Sequence, residues 1–84
     1  MVLRLGQKLI IENLRQYSTE TVEKLRQMLA SGAQARPDPH RKDFFELESD
    51  SEIFYICVSP LNGKVWLLGT WPKNATPVAV GSAR

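Results

Sequence analysis

Hydrophobic positions recur at helical spacing in the first half of the chain. Between Ser18 and Ser31, apolar residues return every three or four positions while charged and amide residues fill the other face; the apolar set is Val22, Leu25, Met28 and Leu29. Ser18 or Thr19 can accept a hydrogen bond from the free N–H groups at a helix start. Gly32 follows the last periodic residue, where glycine commonly ends a helix. The pattern predicts an amphipathic helix over residues 18–31.

From Asp43 onward the pattern changes to that of strands. Three segments, 44–48, 53–59 and 64–71, are rich in aromatic and β-branched residues. The connectors between them contain Asp-Ser and Asn-Gly, which form turns, and they are too short for a crossover between parallel strands. We therefore predict an α+β fold in which the helix packs on a three-stranded antiparallel β-meander, in the order α-β-β-β.

Residues 2–17 support two interpretations. At period two, one side of a strand carries Leu3, Leu5, Leu9 and Ile11. At period 3.6, Ile10, Leu14 and Tyr17 continue in register into the predicted helix. We favour a short helix over residues 8–16 and keep a strand as the alternative.

The remaining segments are predicted from their prolines. Residues 33–39 read as an extended connector, because each proline biases the residue before it away from helical angles. After Trp71, two prolines and several small residues indicate a loose end. We expect a single small domain over residues 1–71 and a flexible C-terminal tail over 72–84.

The predicted meander has two faces with different compositions. Pairing Ser59 with Lys64, and Glu48 with Ile53, places alternate side chains on opposite faces. The first face is apolar and the helix can cover it; it carries Phe45, Leu47, Phe54, Ile56, Val58, Val65 and Leu67. The second face carries Phe44, Ile53, Tyr55, Cys57, Trp66 and Leu68, with Glu46, Glu48 and Thr70. One helix cannot cover both faces.

The second face is the predicted binding site for a partner protein. A half-solvated antiparallel sheet normally directs polar residues outward, and large exposed apolar patches mark interaction sites. The strand over 64–71 also reads as a long, nearly uncharged sheet edge, which natural proteins cover or pair. We expect a homo-oligomer or a protein partner bound through Phe44, Tyr55, Trp66 and Leu68. The alternative is that residues 2–17 cover this face within the same chain.

Charge suggests a second class of function. The 84 residues carry a net charge of +2, but residues 1–42 hold eight Lys and Arg against four acids and residues 43–84 hold three against five. Arg36, Arg41 and Lys42 surround a Pro-Asp-Pro loop and could contact the phosphates of a nucleic acid. This alternative is not favoured, because acids are interspersed among the basic residues and no RNA-binding signature is present.

Catalytic and metal chemistry have little support in the sequence. Cys57 lies among apolar strand residues with nothing to lower its pKa, and His40 is a lone loop histidine whose nearest candidate partners are Asp38 and Asp43. We predict no catalytic residues, no metal site and no cofactor. With no membrane-length apolar run and no secretory signal, we expect a cytoplasmic protein that does not interact with membranes.

The order of a helix followed by a meander, over residues 18–71, resembles the RelE/ParE ribonuclease toxins. Those toxins usually place a helical hairpin before the sheet and basic residues on the sheet, whereas strands two and three here carry Lys64 alone. The resemblance implies a ribonuclease toxin as a third, less favoured function beside an interaction module and a nucleic-acid binder.

Overall fold

A computed structural model describes residues 1–6, 9–13 and 16–73 of the chain. In this part of the chain the fold is α+β, with one helix and a curled, mixed sheet. The elements are β1 (Val2–Leu3), β2 (Ile11–Asn13), α1 (Thr19–Ser31), β3 (Ala33–Pro37), β4 (Phe44–Glu48), β5 (Glu52–Val58) and β6 (Val65–Pro72). The strand order across the six-stranded sheet is β1-β3-β4-β5-β6-β2. In the described residues, no helix has the length and apolar character needed to span a membrane.

The predicted helix and its caps are confirmed. The Ser18 hydroxyl accepts a hydrogen bond from the backbone N–H of Thr21, at 3.2 Å, and so satisfies one of the free donors at the helix start. Gly32 ends the helix with φ +104°, and its N–H donates to the carbonyl of Met28. Leu25 and Leu29 have no exposed surface, so this apolar stripe faces the sheet.

The predicted antiparallel meander is present as β4, β5 and β6, but it is only the centre of a larger sheet. Its first face packs against α1 as expected: Leu47, Phe54, Ile56, Val65 and Leu67 are fully buried. Phe45 and Val58 pack against the same cluster and are half-buried.

The favoured helix over residues 8–16 is wrong for the described part of that segment, where the chain forms a strand. Ile11–Asn13 pairs in parallel with Val65–Leu67, and Val65 donates its N–H to the carbonyl of Ile10. The period-two alternative is the correct one, because its apolar set, Leu3, Leu5, Leu9 and Ile11, lies in or against the core cluster. Pairing with β6 outweighs the helical spacing of the same residues.

The segment predicted as a connector contains the strand β3. Ala33–Pro37 pairs with β1 on one side and β4 on the other. Ala33 and Ala35 point into the core and are 6% and 2% exposed, whereas Gln34 and Arg36 point outward. Alanine has a low strand propensity, which hid this alternation in the sequence. With β3 between α1 and the meander, the element order differs from the one that resembled the toxins.

The strand β6 is not the free edge that the sequence predicted. β2 covers its first residues, and β1 and β2 form the two outer strands of the sheet. The expectation of an exposed edge over 64–71 is therefore wrong for residues 65–67, and this stretch no longer supports self-association. The predicted tail spans residues 72–84, but Pro72 belongs to β6 and Lys73 donates its N–H to the carbonyl of Ser51. The rest of it, residues 74–84, lies outside the described residues.

Gly32, between α1 and β3, lies close to Val2 of β1, and a substitution at this position tests that contact. A Cβ atom at Gly32 would lie 3.3 Å from Cγ1 of Val2, on top of the strain of its positive φ. We expect Gly32→Ala to lower the free energy of unfolding by about 1–3 kcal/mol in urea denaturation. Gly63→Ala is the control, because Gly63 also has a positive φ but no atom within 4 Å of the added Cβ. An equal loss in both variants would contradict the contact with β1.

Candidate functional site

The side of the sheet opposite α1 carries three rows of side chains that cross neighbouring strands. We call it the outer face. The strand register defines the rows as Phe44–Cys57–Trp66–Glu12, Arg36–Glu46–Tyr55–Gly69 and Glu48–Ile53–Trp71. Its apolar side chains are half-buried, whereas those of the opposite face include fully buried ones. Among residues 1–6, 9–13 and 16–73, every helix and strand lies within the sheet or on its other side.

An irregularity in β6 changes which aromatic residues share the outer face. Tyr55 pairs with Gly69 and Ile56 pairs with Leu67, so Leu68 is an extra residue in a β-bulge. Beyond the bulge, Trp71 pairs with Ile53 on the outer face, while Thr70 pairs with buried Phe54. The predicted place of Thr70 on the second face is therefore wrong, and Trp71 takes it.

Two of the predicted partner-binding residues are in direct contact. The rings of Phe44 and Tyr55 are 5.8 Å apart between centroids and inclined by 35°. The guanidinium carbon of Arg41 lies 5.3 Å from the centroid of the Phe44 ring, which is the distance of a cation–π contact. The Tyr55 hydroxyl donates a 2.5 Å hydrogen bond to Oδ2 of Asp38. A loop thus holds both rings in fixed positions.

Trp66 and Leu68, the other predicted partner-binding residues, lie on β6. Trp66 is in the same row as Phe44, with Cys57 between them. Leu68 is the half-buried extra residue of the bulge. The structure therefore places Phe44, Tyr55 and Trp66 on one surface, with Leu68 beside it. Sequence reasoning missed Trp71, although Gly69 inside the strand is the signal of a bulge that could have revealed it.

Asp38 and Tyr55 shift the pKa of each other through their hydrogen bond. The hydrogen bond from Tyr55, with a second from the backbone N–H of His40, lowers the pKa of Asp38. The same bond to Asp38 raises the pKa of the Tyr55 hydroxyl, and burial adds to the rise. At neutral pH the pair is therefore a carboxylate accepting from a protonated phenol, an arrangement that fixes the loop against the sheet.

Ion pairs lie around the aromatic side chains of the outer face. Arg36 bonds to Glu46 at 2.8 Å and to Glu48 at 3.4 Å, and Lys73 lies 2.6 Å from the other oxygen of Glu48. The hydrogen bond and charge of Glu46 raise the pKa of Arg36, and those of Lys73 lower the pKa of Glu48. Across the sheet, Lys64 lies 3.8 Å from Glu12.

Contacts within the chain involve two of the three residues predicted to bind phosphates. Arg36 is bound by two carboxylates, and Arg41 lies over Phe44. Lys42 is exposed in the turn before β4. The structure thus places two of the three cations against groups of the chain itself, so the positive potential available to a nucleic acid is reduced.

A depression of about 290 Å³ lies beside Tyr55, where the loop before β4 meets the sheet. Its lining residues are Arg36, Pro37, Asp38, Pro39, Glu46 and Tyr55. Tyr55 and the three charged side chains of this lining are already bound to one another or to the loop. The depression therefore belongs to the edge of the outer face.

Cys57 and His40, the two residues considered for catalysis, have no activating partner among the described residues. Burial raises the pKa of the Cys57 thiol, and the charge of Asp43 adds to the rise, so the thiol stays protonated at neutral pH. His40 is exposed, and its contact with Asp38 is made by its backbone N–H at 2.8 Å. In the described part of the chain, no three metal-ligating side chains come together.

Comparison with known proteins gives no match: no family model, no curated protein and no solved structure resembles this chain. The outer face therefore has to be interpreted from its own geometry.

The hydrogen bond between Tyr55 and Asp38 predicts how the stability of the fold depends on pH. Tyr55→Phe removes the largest cause of the lowered pKa of Asp38, so we expect that pKa to rise when the Asp38 carboxyl is titrated by NMR. A lowered folded-state pKa stabilises the fold above the unfolded value of about 3.9, and this stabilisation is lost as pH falls further. We therefore expect Tyr55→Phe to flatten the loss of stability in acid.

Tyr17→Phe is the matched control, because it removes a hydroxyl on the far side of the fold, where Tyr17 packs against the core cluster. An unchanged Asp38 titration in Tyr55→Phe would show that the bond does not form in solution.

Proposed function

We propose that this protein is a small, non-enzymatic interaction module that binds a protein partner through the outer face of its sheet. The observation that supports this proposal is the position of Phe44, Tyr55, Trp66 and Trp71 on the face that α1 does not cover. A half-solvated antiparallel sheet normally carries polar side chains outward. Aromatic side chains in this position are typical of the centre of a protein interface.

The border of the face supports the same proposal. Protein interfaces combine an apolar centre with a polar rim, and charged residues are depleted at the centre. On the outer face, Cys57, Tyr55 and Gly69 occupy the central strands, while Arg36, Glu46 and Glu12 lie toward the outer strands. Among the described residues, the charged side chains at the outer face that contact each other or its aromatic rings are four cations, Arg36, Arg41, Lys64 and Lys73, and four anions, Glu12, Asp38, Glu46 and Glu48.

This balance favours a protein over a nucleic acid as the partner. A surface that binds phosphates gains affinity by releasing counterions from the nucleic acid, and it needs a net positive charge to do so. The equal number of cations and anions in this set of contacting side chains provides no such excess. A protein surface with charges of both signs is complementary to it.

A comparison of two aromatic substitutions tests the proposal. We expect Phe54→Ala, in the core, to lower the free energy of unfolding by about 3–5 kcal/mol. We expect Trp66→Ala to lower it by about 1–2 kcal/mol, since its ring is partly in contact with water, and to leave the far-UV circular dichroism unchanged. Urea denaturation of dilute protein measures both values.

Trp71→Ala should behave like Trp66→Ala, because both rings lie on the outer face beyond α1. If both tryptophan variants lose as much stability as Phe54→Ala, these rings are core residues and the proposed function is wrong.

A further inference from the structure

Large and smaller side chains alternate along β5 and along β6 on the outer face, and each large residue of one strand lies beside a smaller residue of the other. At the three levels where β5 and β6 pair on this face, the residues are Cys57 with Trp66, Tyr55 with Gly69, and Ile53 with Trp71. Each level therefore combines one large side chain with one smaller side chain, and the large one changes strand between levels. On this surface, a large side chain of one strand therefore projects beside a smaller side chain of the neighbouring strand.

We propose that the partner of the outer face is a second copy of this chain, related by a two-fold axis that runs parallel to the strands between β5 and β6. The inference rests on the proposed function and names the partner. A two-fold axis in this place sets β5 of each copy against β6 of the other at the same level. Tyr55 then faces Gly69 of the second copy, and Cys57 and Ile53 face the two tryptophans. Large residues meet small ones at all three levels, as close packing of two sheets requires.

Gly69 adjoins the bulge at Leu68 and leaves room on the outer face for another side chain. Its φ is not positive, and a Cβ atom built there would lie 3.8 Å from its nearest neighbour, Cζ3 of Trp71. Glycine in a strand interior costs stability and often marks a bulge or a place where another group approaches closely. The phenol ring of Tyr55 from a second copy is such a group.

Charge complementarity supports the same axis. The row Phe44–Cys57–Trp66–Glu12 crosses four strands, with Arg41 over Phe44 at one end and Glu12 at the other. The two-fold axis lies at the middle of this row, so Arg41 of each copy meets Glu12 of the other. Two ion pairs form per dimer, one at each end of the row.

The size of the face sets the expected strength of the dimer. Strands about 4.8 Å apart and residues rising about 3.4 Å each give β4, β5, β6 and the short β2 an outer face of roughly 380 Å². That is below the roughly 500 Å² per partner that stable interfaces usually exceed. We therefore expect a weak, reversible dimer with a dissociation constant in the high micromolar range.

Two charge-reversal variants test the axis. In a homodimer of Arg41→Glu, both Arg41–Glu12 ion pairs are replaced by two glutamates that repel each other. In a homodimer of Glu12→Arg, both are replaced by two arginines that repel each other. We expect each variant alone to dimerise at least about tenfold more weakly than the wild type. Mixed in equal amounts, the two variants restore both ion pairs, so we expect a heterodimer of wild-type affinity. Sedimentation equilibrium measures all three, against 9.5 kDa for one chain.

Glu20→Arg is the matched control. It makes the same charge change as Glu12→Arg but lies exposed in the first turn of α1, on the opposite side of the sheet. We expect it to dimerise like the wild type. Circular dichroism checks that every variant is folded.

Gly69→Ala tests the packing at the centre independently of charge. Its Cβ has room within one chain, so we expect unchanged or higher stability in dilute protein, but at least a fivefold weaker dimer because the methyl group meets the ring of Tyr55.

A wild-type protein that remains a monomer up to millimolar concentration would overturn the inference. A mixture of the two charge variants that is no heavier than either alone would overturn it as well. Neither result changes the stability comparison of Trp66→Ala with Phe54→Ala, so a failure of the two-fold pairing is distinguishable from a failure of the proposed function.

Discussion

The alternation of side chains along β4, β5 and β6 is the constraint on which the rest of the structure depends. Successive residues of a strand point to opposite faces, so filling one face with Leu47, Phe54 and Ile56 commits their neighbours to the other. The described residues contain a single helix, and its stripe of Leu25 and Leu29 covers the first face. The aromatic residues of the other face therefore contact each other and the loop before β4, and they are the residues that the proposed partner would cover.

The outer strands of the sheet show how the chain protects its edges. β1 and β2 are two and three residues long, and short edge strands reduce the risk of uncontrolled pairing. β2 covers the start of β6, and Pro37 removes a donor at the end of β3, so these two parts of the sheet edges are poor sites for association.

The sequence predicted the features that depend on local pattern. The helix, its caps and the meander follow from apolar periodicity and turn residues, and the division into two faces follows from two hairpin registers. The features that it missed depend on distant pairing. Ile11 forms a strand because β6 provides hydrogen bonds, and Ala35 forms one because β1 and β4 lie on either side. The place of Trp71 on the outer face depends on a bulge at Leu68, whose local sign is the glycine that follows it in the strand.

The central claim is that Trp66 and Trp71 contact water in the single chain and become covered when a partner binds. Acrylamide quenching of tryptophan fluorescence, measured from dilute to concentrated protein, tests it directly because these are the only two tryptophans in the chain. We expect strong quenching in dilute protein and progressive protection as the concentration rises. Fluorescence that is equally protected at every concentration would contradict the claim, since the chain itself would then cover both rings.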